Sequence, residues 1–197
     1  SPNQSYTKVR DDLLSLAPSS YSRVLDLGCS EGANGRVLKD RNPSAWVTGV
    51  ELDPVTAATA ENILDTVMLG DAQECLEKLV SKGEEFDLIL AGDILEHLVD
   101  PWQALSSLQK LCPKGVLLVS LPNVGHWSTL FSLFFLNLWP YRKRGIHDRT
   151  HLRFFARRNL KPFFESGGFR IEKMVTRHRI RERHRSFRWL EWILAKV

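Results

Sequence analysis

The feature that most constrains the fold is a regular alternation of short apolar runs with helical segments over the first 122 residues. Strands that are apolar on both faces and alternate with helices predict a parallel sheet covered on both sides. The fold class is therefore α/β, a doubly wound, mostly parallel sheet with helices on both faces. The predicted strands are 23–28, 45–52, 65–71, 86–93 and 115–122, and the predicted helices are 33–41, 54–62, 72–82 and 101–111.

Two of these helices carry start signals. Pro54 and Pro101 each stand where a helix would begin, and each follows an Asp that is suited to the N-cap position. Beyond Pro122 the pattern changes to an aromatic stretch and a basic loop. A helix over 156–169, a sixth strand over 170–177 and a short amphipathic helix over 188–197 are then predicted.

Length and composition fit one globular domain over residues 1–197, with 43% hydrophobic and 25% charged residues. We divide it into a cofactor half, about 1–122, and a substrate cap with a basic C-terminal part, about 123–197. Residues 1–140 carry 10 Lys and Arg against 18 Asp and Glu, a net charge of −8, whereas residues 141–197 carry 17 against 5, a net charge of +12. This asymmetry indicates either an anionic partner or a solvated basic surface.

The first predicted strand runs into a glycine-rich turn, Arg23 to Gly35. Asp26, Gly28, Ser30 and Gly32 fit the pattern D-x-G-x-[G/S]-x-G, in which Cys29 stands between the first glycine and the serine. In doubly wound sheets, ligands bind beyond the carboxyl ends of the strands, so this turn is a candidate nucleotide site.

Acidic residues end the next two strands. Glu51, followed by Leu52, lies 23 residues past Gly28, and a carboxylate about 20 residues past such glycines accepts ribose hydroxyls in dinucleotide-binding folds. Asp71, followed by Ala72, ends the third strand and is placed to meet an adenine edge. Together the three strand ends predict an adenosyl site.

A nicotinamide cofactor is the first alternative. Its G-x-G-x-x-G fingerprint needs a second glycine so that the backbone can approach the pyrophosphate. Here the three positions hold Gly28, Ser30 and Ala33. A serine side chain would crowd a diphosphate but is tolerated beside a ligand without phosphates, so an adenosyl ligand that lacks phosphates fits better.

These motifs resemble those of the class I S-adenosylmethionine-dependent methyltransferases, which have a Rossmann-like fold. VLDLGCSEG resembles their glycine-rich loop, GVELDP their ribose-binding strand end, GDAQE their adenine contact, and FDLILAGDILEHLVDP their fourth strand with the loop that covers the methionine part of the cofactor. The resemblance covers about 21–175. The motifs DILEHLxDP, LPNVGHW and GIHDRTHLRFF are similar to those of ubiquinone-biosynthesis-like and glycan or secondary-metabolite methyltransferases.

The resemblance implies S-adenosyl-L-methionine as cofactor and a methyl transfer to oxygen on a glycan, quinone or secondary-metabolite precursor. Family sheets have a seventh, antiparallel strand, and the predicted C-terminal helix leaves that strand without a candidate segment. The cofactor-binding residues that we predict are Asp26, Gly28, Cys29, Ser30, Gly32, Glu51, Leu52, Asp71, Ala72 and Asp93.

An oxygen acceptor needs a general base, and the histidines after the fifth strand are best placed to supply it. We therefore predict His126, His147 and His151 as catalytic candidates. A network that fixes the 147–151 loop is the alternative for the last two. His97 reads as a packing or capping residue, Asp93 as a residue that orients its loop, and Glu96 with His97 as a weak alternative for a divalent ion, so no metal is predicted.

The aromatic stretch over 127–141 is too short to span a bilayer. As a helix it would be either a lid over the substrate or a segment that dips into a membrane interface, helped by the basic residues 142–144 and by Trp189 and Trp192. Peripheral membrane contact through 127–144 and 187–194 is therefore one predicted partner, beside a small-molecule substrate that is anionic or lipid-linked.

The run RHRIRERHRSFR, 177–188, holds six arginines and gives the second alternative, an RNA methyltransferase. A nucleic-acid partner is disfavoured because there is one basic segment and no accessory RNA-binding module. A binding module that keeps the fold without activity is the third alternative. The widely spaced Cys29, Cys75 and Cys112 and the polar N-terminal residues predict a reducing, cytoplasmic location. No oligomeric state is predicted.

Overall fold

The protein folds around one seven-stranded sheet in a computed structural model that describes residues 8–179 and 188–196. The strands are β1 Arg23–Leu27, β2 Trp46–Glu51, β3 Thr66–Leu69, β4 Leu88–Gly92, β5 Val116–Pro122, β6 Arg170–Arg179 and β7 Arg188–Lys196. Their order across the sheet is β3-β2-β1-β4-β5-β7-β6. β1 to β5 pair in parallel, and β7 pairs antiparallel with both β5 and β6.

Five of the helices lie where the apolar pattern predicts them, at 33–41, 54–62, 72–82, 101–111 and 156–169, whereas the first helix, over 11–14, was not predicted. The helices are α1 Asp11–Leu14, α2 Ala33–Arg41, α3 Pro54–Ala60, α4 Ala72–Ser81, α5 Pro101–Leu111, α6 Trp127–Leu136 and α7 Arg157–Ser166, with a 3-10 turn over Leu95–His97. The predicted N-caps are confirmed, because the Asp53 carboxylate accepts from the amides of Val55 and Thr56 at the start of α3. Asp100 caps α5 in the same way.

The core lies on both faces of the sheet, as the fold class predicts. One cluster packs α4, α5 and α7 against one face, with Leu76, Leu105 and Phe164 almost fully buried. The other packs α1, α2 and α3 against the opposite face, around Leu38 and Leu88. Because both faces are covered, the inner strands bury nearly every side chain, which explains their continuous apolar sequence.

The C-terminal segment corrects the sequence analysis. The helix predicted over 188–197 is wrong, since Arg188–Lys196 forms β7 and inserts between β5 and β6. Ile193 pairs with Val119 of β5 on one side and with Met174 of β6 on the other. The seventh, antiparallel strand is therefore present. The mostly parallel, Rossmann-like fold class is confirmed.

The sheet order reverses between β1 and β4, and in open α/β sheets the ligand crevice lies beyond the carboxyl ends of the strands at such a reversal. The segment that follows β5 runs along this same edge, where the Val124 amide donates to the Phe155 carbonyl at 2.9 Å. Among the described residues, none of the helices has the length and apolar character that crossing a bilayer requires.

Candidate functional site at the carboxyl edge of the sheet

The glycine turn after β1 is held in an unusual backbone conformation. Gly28, Ser30 and Gly32 have φ angles of 76°, 51° and 80°, the left-handed region that favours glycine. The Gly28 amide donates to the Val50 carbonyl of β2 at 2.9 Å, so the turn lies against the neighbouring strand end. Gly32 then leads into α2 as its N-cap.

Glu51 connects this turn to the end of β2. Its Oε2 accepts from the Ser30 amide at 2.8 Å, and its Oε1 accepts from the amides of Leu52 and Asp53, both at 2.9 Å. A carboxylate has about four acceptor positions, so one remains for a ribose hydroxyl. The structure thus brings the predicted ribose acid and the predicted glycine turn into direct contact.

The predicted adenine side lies beside them, because β3 is the neighbour of β2. Asp71 is the N-cap of α4, where its Oδ1 accepts from the Gln73 amide at 2.8 Å. Leu52 is 68% exposed at the tip of β2, and Ala72 is buried at the start of α4. An exposed apolar side chain next to a carboxylate suits the face and the edge of an adenine base.

Asp26 is buried below the turn, at 2% exposure. Burial, and then the charge of Glu51, raise its pKa to about 7, although Arg10 and a hydrogen bond with Asn34 act in the opposite direction. Within the described part of the chain, the Asp26 Oδ2 atom has no hydrogen-bond partner. A buried acceptor without a partner fits a site for a cationic group such as the ammonium or sulfonium of S-adenosylmethionine.

Cys29 differs from the other predicted cofactor residues because its side chain belongs to the core. It is 3% exposed, and a Cβ added at Gly49 would meet its Sγ at 2.6 Å. Burial raises the pKa of this thiol, which makes it unreactive. Its backbone alone could contribute to a ligand site.

Arg10 lies at the candidate site and was not predicted from the sequence. Its Nη1 donates to Asp93 Oδ2 at 2.9 Å and its Nη2 to Ser120 Oγ at 3.0 Å, while Ser120 Oγ donates to Asp93 Oδ1 at 2.8 Å. Its amide donates to Asn34 Oδ1 of α2 at 2.9 Å. This network joins the ends of β4 and β5, and no sequence pattern near Arg10 points to it.

His126 and His147 hold α6 in place. His126 is the N-cap of α6, and its Nδ1 accepts from the Ser128 amide at 3.2 Å. His147 Nε2 and Thr129 Oγ1 of α6 are hydrogen-bonded at 2.9 Å. Burial, and then the charge of Arg142, lower the pKa of His147. Both histidines therefore have structural contacts, and their catalytic role stays a prediction.

His151 lies in a second group, with Glu96 and His97 of the 3-10 turn. One ligand atom from each of the three lies within 4.8 Å of the others, a set that could hold a divalent cation. His151 Nε2 is 3.9 Å from Glu96 Oε1. Burial, and then the charge of His97, lower the pKa of His151 to about 4, so it is neutral near pH 7. His97 is the partly exposed member.

An apolar pocket of about 460 Å³ lies between α6 and the 139–156 segment. Trp139 stands in its wall, with its ring 4.9 Å from the Phe154 ring and 5.0 Å from that of His147. Val124 and Gly125, directly after β5, form the side toward the carboxyl edge. This pocket is a candidate for the acceptor, because ligand pockets are mostly apolar with few polar groups.

The sequence matches the profile of a family described as "Methyltransferase domain" over residues 3–174. A ubiquinone biosynthesis O-methyltransferase of Coxiella burnetii is 30% identical over 155 residues, which cover 75% of this chain and 63% of that protein. A trans-aconitate 2-methyltransferase of Escherichia coli is 32% identical over 114 residues, 57% of this chain and 44% of that protein. The chain thus spans less than two thirds of these relatives.

Solved structures share the fold. A SAM-dependent methyltransferase from Archaeoglobus fulgidus superposes with a TM-score of 0.67 at 21% identity, covering 91% of this chain and 87% of that one. The N-terminal domain of EvdMO1, solved with SAH bound, gives 0.62 at 18% identity, covering 94% and 79%. With the glycine turn, Glu51 and Asp26 brought together at one edge, the profile match shows that this chain belongs to the methyltransferase domain family, the class I S-adenosylmethionine-dependent methyltransferases.

Proposed function

We propose that this chain transfers the methyl group of S-adenosyl-L-methionine to an oxygen atom of a small molecule, a quinone, glycan or secondary-metabolite precursor. The observation that supports the proposal is the contact between the Ser30 amide and the Glu51 carboxylate, beside the buried Asp26, an arrangement that suits an adenosyl ligand. The cofactor supplies an electrophilic methyl group. The chain therefore has to bind the cofactor and the acceptor, orient them toward each other and exclude water.

The acceptor that fits best is apolar in part. The pocket beside α6 is lined by Val124, Leu130, Trp139 and Phe154, which suit an aromatic ring or an alkyl chain. The name of the Coxiella burnetii relative points to a quinone precursor among the three acceptor classes. The alkyl chain of a lipid-linked acceptor would also fit the apolar lining of this pocket.

The anionic alternative rests on two arginines of the loop after α6, Arg149 and Arg153. Arg149 is exposed and available for an acidic acceptor. Arg153 is less suitable, because its Nη2 donates to the Val99 carbonyl and it thereby ties the 152–153 segment to the loop after β4. We keep an apolar acceptor with one acidic group as the substrate class.

The general base is proposed among His126, His147 and His151. A base has to reach the acceptor hydroxyl within hydrogen-bond distance. Glu96 and His97 follow β4 directly, where the methionine part of the cofactor is expected, and His151 of the later loop lies beside them. If a divalent cation occupies that group, it would act as a Lewis acid in place of a protein base.

The cysteines bear on the proposed location of the protein. Among the described residues, Cys29, Cys75 and Cys112 are buried free thiols, which agrees with a cytoplasmic location.

The RNA-methyltransferase alternative rests on the arginine run, of which residues 180–187 lie outside the described residues. A binding module without activity would keep cofactor affinity and show no turnover.

Calorimetric titration with S-adenosylhomocysteine, with NAD run in parallel, tests the cofactor. We expect saturable one-to-one binding of the first and none of the second. Binding of NAD alone would contradict the proposal, and a ligand-binding protein that methylates none of a panel of catechols, quinols and glycans would be a binding module.

The base is tested with alanine variants of the three histidines, and we expect one of them to keep S-adenosylhomocysteine affinity while it loses about 10²–10⁴-fold in turnover. A chelator separates the two mechanisms, because it abolishes turnover if a cation is needed and leaves a protein base unaffected. Full activity in all three variants would remove our assignment of the base.

A further inference from the structure

The polarity of α6 is inverted relative to that of an ordinary surface helix. Its buried residues are Thr129 and Ser132, whereas Phe134 and Phe135 are 83% and 68% exposed. A helix that packs on a globular core buries its apolar stripe and exposes its polar one. The exposed side of α6 is therefore built for contact with something other than the core.

Residues 127–141 carry a dense series of exposed apolar side chains, which we together name the α6 surface. The Phe135 ring lies 5.1 Å from that of Phe131 and 5.0 Å from that of Phe134. Of the seventeen large apolar side chains that are exposed among the described residues, nine belong to this segment. Continuous exposed apolar patches mark protein or membrane contacts.

Basic residues border this surface, and acidic residues are absent from the surrounding sequence. Arg142, Lys143 and Arg144 follow directly and are exposed. Residues 121–147 contain no Asp or Glu. An apolar face with a positive edge is complementary to a surface that is apolar inside and negatively charged outside, as anionic lipid bilayers are.

The dimensions and aromatic residues agree with a helix that lies in the bilayer interface. Ten residues of helix extend about 15 Å, half the thickness of the hydrocarbon core, so α6 cannot cross it. Trp127, 60% exposed, and Tyr141, 75% exposed, are the first and last residues of the 127–141 segment. Trp and Tyr favour the headgroup level, where their polar atoms stay hydrated.

A second copy of the chain is a poorer occupant. In a two-fold contact the positive edges of both copies, residues 142–144, would border one interface, and no Asp or Glu of residues 121–147 is present to offset them. A bilayer with anionic headgroups has the opposite charge.

We infer that the α6 surface docks this protein on anionic lipid membranes, with α6 lying in the interface and residues 142–144 at the headgroups. The inference deepens the proposed function, because it names the partner from which an apolar acceptor would enter the adjacent pocket between Leu130, Trp139 and Phe154. The delivery of an acceptor from the membrane rests on the proposed function, whereas membrane binding itself is measured without catalysis.

The test is flotation of the full chain with vesicles of phosphatidylcholine alone or of an equal mixture with phosphatidylglycerol. We expect the protein to float with the mixed vesicles and less with the neutral ones. The double variant Phe134→Ser, Phe135→Ser should lower the partition coefficient at least about tenfold on the mixed vesicles. Arg142→Gln, Lys143→Gln and Arg144→Gln together should remove the preference for anionic lipid and its salt dependence.

Trp46→Ser is the matched control, because Trp46 is a 52% exposed aromatic at the amino end of β2, the edge opposite the site. It should bind vesicles like the parent chain. Equal partition of the parent and the phenylalanine variant would overturn the inference, as would a parent dimer in light scattering that this variant dissociates without any vesicle binding. Titration of each variant with S-adenosylhomocysteine measures the cofactor site separately. Loss of cofactor binding, which would contradict the proposed function, is therefore distinguishable from loss of membrane binding.

Discussion

At the scale of single residues, Glu51 links the end of β2 to the glycine turn, because its carboxylate accepts from the Ser30, Leu52 and Asp53 amides. Glu51→Ala removes these contacts together with the acceptor for a ribose hydroxyl. We expect S-adenosylhomocysteine affinity to fall about 10- to 150-fold in calorimetry, equivalent to roughly 1.5–3 kcal/mol for hydrogen bonds to a charged group.

Glu85→Ala is the control for this prediction, since Glu85 is exposed just before β4, at the opposite edge of the sheet. Its affinity should equal that of the parent. Glu51→Gln keeps one acceptor oxygen, so its S-adenosylhomocysteine affinity should lie between those of Glu51→Ala and the parent. An alanine variant with parental affinity would remove Glu51 from the cofactor site.

At the scale of elements, β7 decides how the sheet ends, because it hydrogen-bonds to β5 on one side and β6 on the other. Ile193→Pro would remove an amide from the middle of this inner strand, where proline is not accommodated. We expect the free energy of unfolding, measured in urea, to fall by at least about 2 kcal/mol.

Glu172→Pro is the matched variant on β6, an edge strand. Glu172 lies at the irregularity between Ile171 and Lys173, where the register with β7 shifts, and proline is tolerated at edges and bulges. Its loss of stability should be clearly smaller. Equal and small losses in both variants would mean that residues 188–196 do not form an inner strand.

At the scale of the whole molecule, the buried Asp26 couples folding to pH. Its pKa is raised to about 7 in the folded protein from the ordinary value of 3.8, so the folded state holds this proton more tightly than the unfolded state does. The stabilisation by the proton is complete below about pH 4 and is lost as the pH rises toward 7. Above that pH the charged, buried carboxylate destabilises the ligand-free protein.

Asp26→Asn removes this titration. Without ligand, the free energy of unfolding of the variant should gain on that of the parent between pH 4 and pH 7, by an amount on the order of 2–4 kcal/mol. The difference between the two urea unfolding series isolates Asp26 from all other carboxylates. Parallel curves over this range would contradict a buried, proton-binding Asp26.

Much of the cofactor half follows from local sequence. The apolar runs and the Asp-Pro starts of α3 and α5 predict the elements correctly, because capping and burial on both faces are local requirements. Gly28, Gly32 and Glu51 point to the adenosyl site, because parallel neighbours bring the ends of β1 and β2 to one edge. The proximity of these residues could be predicted without coordinates, and their contact with the cofactor stays a prediction.

Contacts between distant parts of the chain decided the rest. WLEWILA contains helix formers and no alternation, so only its insertion between β5 and β6 makes it a strand. Arg10 reaches Asp93 across 83 residues of chain, and His151 meets Glu96 across 55 residues. Which face of α6 is exposed likewise depends on tertiary packing, because packing buries the face that carries Thr129 and Ser132. Sequence alone determined the strand ends and their cofactor chemistry, while tertiary packing decided the sheet edge, the Arg10 network and the α6 surface, because those depend on non-local pairing.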